Sequence, residues 1–193
     1  RYHPIFWGSS SSSVGALNWG LNWDCWGNTF AVAHTLTSCN YIAGRTQATI
    51  DSRTDLSDSY YNTFFQDHQW HHIALSKASN GGAFSFYLDG NRVAYSATDT
   101  DNWGLRTGGI AIGSNFDGSI SNLRLVKGQG LYSGTSMVVP TSELTLTSQG
   151  AIASNVSLLL KIGNSCLIED KSSYAFTVVN VGSVACNPVE QIV

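Results

Sequence analysis

The chain has 193 residues, of which 42% are hydrophobic and 11% aromatic, so it carries enough apolar mass for one all-β core. Charged residues make up only 12%, about half the ordinary share, which leaves Ser, Thr, Asn and Gly to solvate much of the surface. The net charge is −3, the 10 basic residues are scattered, and no apolar stretch approaches the ~20 residues of a membrane-spanning helix, so we expect neither nucleic-acid binding nor membrane insertion.

The N-terminal third mixes loop-like and strand-like stretches. A run of serines at 9–13 predicts a solvated loop. The sequence LNWGLNWD at 17–24 is a small tandem echo in a loop-like context, because Gly, Asn and Asp surround its tryptophans. Residues 29–37 and 41–50 predict strands, and the polar stretch at 51–67 predicts a long loop.

The clearest strand signals fall between residues 70 and 126. The pieces WHHIAL, FSFYLDGNRV, IAIGS and FDGSISNLRLV are each of strand length and are bounded by Gly, Asn, Asp or Ser. In FSFYL, at 84–88, apolar residues alternate with Ser85 and Tyr87. This period-2 pattern is typical of a strand that is buried on one face only.

Three local features refine this region. The sequence DGN at 89–91 predicts a tight hairpin turn, since Gly and Asn tolerate positive φ. The apolar phase shifts between residues 120 and 123, which predicts a bulge near Ser121 and Asn122. Trp70 is predicted to be a core residue on its strand.

The C-terminal part continues the β pattern, and helix signals are scarce. The best helical candidate is one short turn near 128–133, and residues 157–162 and 175–181 predict two further strands. Short strands throughout predict an all-β fold, an antiparallel two-sheet sandwich. We expect residues 1–193 to form a single domain in which 156–193 complete the sandwich. The alternative is that 156–193 begin a second repeat.

The strand series carries a family likeness. It contains a W-x-H strand, a DG hairpin, an IG strand, and an F-x-G-x-I…R strand followed by a G…Y segment and a proline. The residues concerned are Trp70, His72, Ala74, Asp89, Gly90, Ile112, Gly113, Phe116, Gly118, Ile120, Arg124, Gly128, Tyr132 and Pro140. This series resembles laminin-G-like domains of the concanavalin A-like lectin/glucanase superfamily, of the type found in phage and other viral structural proteins and in surface adhesins. The resemblance implies a jelly-roll sandwich.

The resemblance also raises the question of catalysis. The superfamily includes glucanases that use two closely spaced glutamates as acid and nucleophile. This chain has only Glu143, Glu169 and Glu190, and no two of them share a strand at i and i+2. We therefore predict that the protein is not an enzyme. Ser121 and Asn122 are a further departure, because the family often has an acidic pair just before its arginine.

Two adjacent histidines invite a metal or base hypothesis. Neighbouring residues on a strand point to opposite faces, so His71 and His72 cannot chelate one ion together. We interpret His72 as a structural strand residue that is hydrogen-bonded beneath a loop.

Four cysteines leave two interpretations open. Cys25 could pair with Cys39, and Cys166 with Cys186, to give two disulfides. The alternative is four buried free thiols, since free cysteine is among the most buried residue types.

Calcium is the one candidate cofactor. Asp99 and Asp101 cluster oxygen ligands in a predicted loop, and Asp117 is a third candidate ligand. Domains of the resembled type often bind calcium at a loop rim. The alternative is that these aspartates only cap turns.

Tryptophans outside the predicted core indicate a candidate glycan-binding site. Sugars stack their apolar faces on aromatic rings, while Asn and Asp bind hydroxyl groups. The candidate residues are Asn18, Trp19, Asn22, Trp23, Asp24, Trp26 and Trp103. The alternative is that the rings cover the ends of the sandwich or pack against a neighbouring subunit, because tryptophan is enriched at interfaces.

These observations favour a non-enzymatic structural module on the surface of a virion, such as a capsid decoration or tail-fibre protein. Its expected partners are copies of itself or other virion proteins, with cell-surface glycans as candidate ligands. The expected location is the virion surface or the extracellular space. The alternative is a secreted carbohydrate-binding or adhesion domain of a cellular surface protein.

Overall fold

The described part of the chain is built from short antiparallel strands. A computed structural model describes the backbone at 3–8, 17–23 and 30–35, and residues 68–79, 82–97, 110–113, 118–162, 167–180 and 185. Within these ranges the only helices are two 3-10 turns, Ser148–Gly150 and Ala153–Asn155. The all-β antiparallel prediction is therefore confirmed. No helix in the described ranges has the length and apolar character needed to cross a membrane.

The chain divides into two compact units. The first unit comprises 1–118 and 132–137, and the second comprises 119–131 and 138–193. The strands of the first unit are β1 (His3–Gly8), β2 (Leu17–Trp23), β3 (Phe30–Thr35), β4 (Ile73–Lys77), β5 (Phe84–Leu88), β6 (Asn91–Ser96) and β7 (Ile110–Ile112). Those of the second unit are β8 (Arg124–Val126), β9 (Val156–Ile162) and β10 (Ile168–Asp170). The single sandwich over 1–193 stays a prediction.

The N-terminal strands form a four-stranded sheet in the order β3-β2-β1-β7. The strand predicted at 29–37 is confirmed as β3. The loop-like interpretation of 17–24 is wrong over its described part, 17–23, because Leu17–Trp23 is β2 and pairs with both β1 and β3. Two hydrogen-bonded neighbours override the local turn preference of Gly and Asn in this echo.

The second sheet of the first unit has the order β4-β5-β6. The hairpin between β5 and β6 is confirmed, and its two turn residues, Asp89 and Gly90, have φ values of 44° and 79°. Positive φ at both central residues is the pattern of a type I′ turn, whose twist matches that of the flanking strands. Gly90 supplies the second position without steric cost.

β5 is buried on both faces, so the prediction of a half-buried strand is wrong. Ser85 and Tyr87 lie on the face that was predicted to be solvated, and both are buried. The segment 132–134 accounts for the burial of Tyr87. The Tyr87 hydroxyl donates to the Gly134 carbonyl oxygen at 2.8 Å, and the rings of Tyr87 and Tyr132 meet edge to face with centroids 5.9 Å apart.

The Tyr87 hydroxyl provides a direct test of this arrangement. We expect Tyr87→Phe to lower the free energy of unfolding by about 1–2 kcal/mol, because it leaves the Gly134 carbonyl without its buried donor. Tyr95→Phe, on the next strand, is the matched control and should change stability by less than about 0.5 kcal/mol. Urea denaturation followed by circular dichroism measures both. Equal effects for the two variants would contradict the role given to the Tyr87 hydroxyl.

Trp70 is exposed, so its assignment to the core is wrong. Its exposed fraction is 46%. The strand predicted from WHHIAL begins only at Ile73, which places Trp70 in the irregular stretch that precedes β4. The alternation of faces that was used to assign Trp70 therefore does not extend to it.

The second unit is a three-stranded sheet in the order β10-β9-β8 with its own apolar core. The core consists of Ala151, Val156 and Leu159, with Val126, Leu131, Leu144 and Leu146 packed against it. The helical turn predicted near 128–133 is wrong, because those residues are irregular. The 3-10 turns instead lie at 148–150 and 153–155, in the connection that leads into β9.

Two further predictions for the second unit need correction. The strand predicted at 175–181 is wrong over its described part, because 175–180 carry no strand and β10 lies earlier, at Ile168–Asp170. The bulge predicted near Ser121 and Asn122 is displaced. Asn122 does have a positive φ of 55°, but the ladder irregularity lies between Leu125 and Val126, opposite Ser157 on β9.

Candidate functional site

Four of the predicted glycan-binding residues lie on β2, and the other three lie outside the described residues. Asn18, Trp19, Asn22 and Trp23 lie on β2, the interior strand that joins β1 to β3. The remaining candidates, Asp24, Trp26 and Trp103, lie outside the described residues. The glycan-binding role of this set stays a prediction.

The calcium and disulfide predictions also fall outside the description. This holds for Asp99, Asp101 and Asp117 and for Cys25, Cys39, Cys166 and Cys186. Within the described ranges, no group of three or more His, Cys, Asp and Glu residues is placed to hold a metal ion.

The hairpin turn carries the first cluster of titratable groups. The Asp89 carboxylate accepts from the His71 ring at 2.9 Å and from the His72 backbone N–H at 2.8 Å. The Asp89 backbone N–H in turn donates to the His72 carbonyl oxygen at 2.9 Å. A carboxylate that accepts from Nδ1 fixes the tautomer and orientation of an imidazole. Here the same carboxylate also ties the residues before β4 to the β5–β6 turn.

The His72 ring is the second notable group of this cluster. Its Nδ1 atom is buried and has no hydrogen-bond partner within the described part of the chain. His72 lies just before β4, so its assignment to that strand is wrong, and its backbone N–H donates to the Asp89 carboxylate. Burial lowers the pKa of His72 below its ordinary value of 6.5, although the nearby Asp89 carboxylate opposes this shift.

The lowered pKa of His72 predicts a pH dependence of stability. The unfolded chain takes up a proton at its ordinary pKa while the folded chain resists, so stability falls as the pH drops below about 6.5 and levels off below the folded pKa. His72→Phe should flatten this loss between about pH 7 and pH 5, measured by urea denaturation at each pH. His68→Asn, at an exposed position, should leave the wild-type profile in place. A His72→Phe profile as steep as wild type would contradict this role.

Asp170, at the end of β10, carries an extensively hydrogen-bonded carboxylate. It is buried and accepts four hydrogen bonds. The donors are the Leu159 N–H at 2.9 Å, the Ser172 N–H at 2.9 Å, the Ser172 hydroxyl at 2.8 Å and the Phe176 N–H at 2.9 Å. Burial raises the pKa of Asp170, but the hydrogen bonds lower it more, and the net shift is downward. Asp170 therefore holds the 171–176 turn against β9 as a carboxylate.

An aromatic pair projects from the turn that Asp170 anchors. The rings of Tyr174 and Phe176 are stacked, with centroids 5.6 Å apart and planes inclined by 11°. Both side chains are more than half exposed. Sequence reasoning missed this pair because it assigned Phe176 to a strand. The sequence Asp-Lys-Ser at 170–172 was the available signal, since Asp and Ser side chains often bond the backbone two residues on.

The described glutamates make ion pairs at the surface of the second unit. Glu143 pairs with Lys161 at 2.6 Å, and Glu169 pairs with Lys171.

No protein-family model, no curated protein and no solved structure matches this chain. Any functional assignment therefore rests on the chemistry of its own residues and on the sequence resemblance.

Proposed function

We propose that the chain is a non-enzymatic laminin-G-like module with a jelly-roll sandwich fold. It serves as a virion surface component, such as a capsid decoration or tail-fibre protein, and assembles with copies of itself or with other virion proteins. The observation that carries this proposal is the exposed apolar surface of the second unit. Its large exposed side chains are Val138, Ile152, Leu167, Tyr174, Phe176 and Val179. Where such side chains lie together on a surface, they mark an interaction site.

The polar groups of the described residues support a structural role. Asp170 binds backbone N–H groups of β9 and of its own turn, and Asp89 fastens the stretch before β4 to a hairpin. Glu143 and Glu169 neutralise neighbouring lysines. The antiparallel strands and the low charge content agree with a rigid scaffold whose surface is solvated by neutral polar side chains.

Sedimentation velocity tests the assembly role. We expect the protein to self-associate as its concentration rises, and we expect Val138→Ser combined with Val179→Ser to weaken association, because both side chains are more than 70% exposed. Ser142→Ala is the control, since it changes an exposed polar position of the same unit. A wild-type protein that stays monomeric at every concentration would count against the proposal.

A secreted carbohydrate-binding or adhesion domain is the second candidate. The exposed pair of Tyr174 and Phe176 favours it, because exposed aromatic rings can stack against the apolar faces of sugars. A monomeric protein that binds glycans on an array would favour this candidate over the virion component. Both candidates describe a non-enzymatic binding module, so both exclude hydrolysis of the bound glycan.

A further inference from the structure

The entrance to β9 carries a modification motif. Asn155 is followed by Val156 and then by Ser157, and N-x-S/T with any residue but Pro in the middle is the acceptor motif for N-linked glycans. The motif occurs once in the 193 residues. It needs a place at the surface, so the surroundings of Asn155 are the first test of it.

Asn155 lies at a turn where solvent reaches its side chain. It closes the 3-10 turn Ala153–Asn155, and β9 begins at the next residue. Ile152 and Ser154, in the same connection, are exposed. In the described ranges, the only buried side-chain nitrogen or oxygen atom without a partner belongs to His72, so the unbonded amide of Asn155 is open to solvent.

The fold makes no use of the Asn155 side chain. Asparagine is common in turns because it tolerates positive φ, but Asn155 does not have a positive φ. Its backbone N–H donates to the Ile152 carbonyl oxygen at 2.8 Å, and its carbonyl oxygen accepts from the Lys127 N–H at 2.7 Å. Its amide group makes no hydrogen bond within the described part of the chain. Other residue types could therefore make the same backbone contacts.

The Ser157 hydroxyl also contributes little to the fold. It donates to the Leu125 carbonyl oxygen at 3.4 Å, well beyond the distance of about 2.7–2.8 Å that is usual between a hydroxyl donor and its acceptor. Ser157 lies at the ladder irregularity between β8 and β9, where the register passes over it. Val156, in contrast, is fully buried. The two positions that define the motif are thus the two whose side chains the fold does not need.

We propose that Asn155 is an N-glycosylation site, modified by a transferase of a secretory pathway. The Nδ2 atom forms a bond to C1 of the first sugar, and the bond from that C1 to a lipid-linked pyrophosphate breaks. The pyrophosphate leaves with the electron pair of the broken bond, and the amide nitrogen releases one proton. Since Val156 is buried in the folded unit, the transferase recognises Asn155 and the Ser157 hydroxyl on the chain before β9 packs.

N-glycosylation goes beyond the proposed assembly role, because it requires that the chain pass through a secretory pathway. Linked glycans are bulky and solubilising. The Asn155 backbone is hydrogen-bonded to that of Ile152, whose apolar side chain is 54% exposed, so a glycan on Asn155 lies beside this side chain. With only 12% charged residues, the chain depends on neutral polar groups of this kind to solvate its surface.

Cell-free translation of the full chain, preceded by a secretion signal, in the presence of microsomes tests the site. We expect the wild-type chain to gain one glycan, seen as a mass shift that peptide N-glycosidase removes. Asn155→Gln and Ser157→Ala should each abolish the shift, because one removes the acceptor nitrogen and the other removes the recognised hydroxyl. Ser157→Thr should retain it. Ser154→Ala, in the same 3-10 turn but outside the motif, is the matched control and should leave the shift unchanged.

Modification of the nascent chain does not depend on whether a variant folds, so each result bears on the site itself. A wild-type chain that stays unmodified, or a glycan that survives Asn155→Gln or Ser157→Ala, would overturn the site. Sedimentation velocity on the protein without glycan answers the separate question of assembly. A chain that is modified but always monomeric upholds the site and counts against the virion role, whereas an unmodified chain that self-associates does the reverse.

Discussion

Asp170→Asn is expected to lower the free energy of unfolding by about 3–5 kcal/mol, because a buried carboxylate loses hydrogen bonds that it accepts. The amide keeps one acceptor oxygen, but its NH₂ group faces donors where the second carboxylate oxygen stood. Two hydrogen bonds to a charged group are lost, each worth about 1.5–3 kcal/mol. The Phe176 N–H or the Leu159 N–H is then left without a partner in a buried site.

Two measurements follow this change. Urea denaturation gives the free energy of unfolding, and hydrogen exchange reports locally on the amides of Leu159, Ser172 and Phe176, which should lose protection together. Glu169→Gln is the matched control. It removes a neighbouring carboxylate from the same strand, but its pairing with Lys171 is exposed and is worth less than about 1 kcal/mol. Unchanged protection at the three amides would contradict the anchoring role of Asp170.

The same carboxylate predicts a loss of stability in acid. Its pKa is lowered in the fold from the ordinary value of 3.8, so the stabilisation is complete above that value and disappears as the pH falls through the folded pKa. Asp170→Asn cannot titrate at this site, so its stability should fall less steeply than that of the wild type below about pH 4. If Asp170→Asn lost stability as steeply as the wild type below about pH 4, groups other than Asp170 would be the cause of the acid sensitivity.

Local chemistry made part of the fold predictable. The turn at Asp89 and Gly90 follows from residues that tolerate positive φ, and that property needs no information from distant parts of the chain. The burial of Tyr87 was not predictable in this way. Its face of β5 is covered by Tyr132, 45 positions further along the chain, and a period-2 pattern does not reveal which distant segment covers a polar face.

The Tyr174–Phe176 pair shows a second limit of sequence reasoning. Residues 175–181 are rich in apolar and β-branched residues, and their propensity favours a strand. The Asp170 side chain instead accepts the Phe176 N–H, so a side chain takes the donor that a neighbouring strand would need. The exposed aromatic pair follows from this one competition, which residue composition alone does not settle.

Loss of the Arg124 side chain is also expected to destabilise the second unit strongly. Its Nη1 atom lies 2.6 Å from the Thr145 carbonyl oxygen, 2.8 Å from the Ser148 carbonyl oxygen and 2.9 Å from the Ser148 hydroxyl oxygen. Two residues earlier, the Asn122 side chain accepts from the Leu144 N–H at 2.7 Å and donates to the Ser142 carbonyl oxygen at 3.3 Å. The two side chains therefore fasten the 142–148 segment to the start of β8.

Asn122 suits the 142–144 segment better than a carboxylate would. A neutral amide both donates and accepts, and the 142–144 segment presents one carbonyl and one N–H to it. A carboxylate could accept from the Leu144 N–H but could not donate to the Ser142 carbonyl. Arg124 adds a positive charge to the same segment through charge-assisted bonds to its carbonyl groups.

Arg124→Met is therefore expected to lower the free energy of unfolding by about 2–4 kcal/mol, because the Thr145 and Ser148 carbonyl oxygens lose a charged donor. Arg124→Lys should recover only about half of this, since an ammonium lacks the planar fork of the guanidinium. Lys127→Met is the control, because it removes a positive charge from an exposed position just beyond β8. Urea denaturation gives the energies, and limited proteolysis within 142–150 reports on the segment itself. If Arg124→Met and Lys127→Met proved equally stable, the charge would matter only as surface charge, and the 142–148 segment would have to be held by Asn122 and the Leu144 and Leu146 side chains.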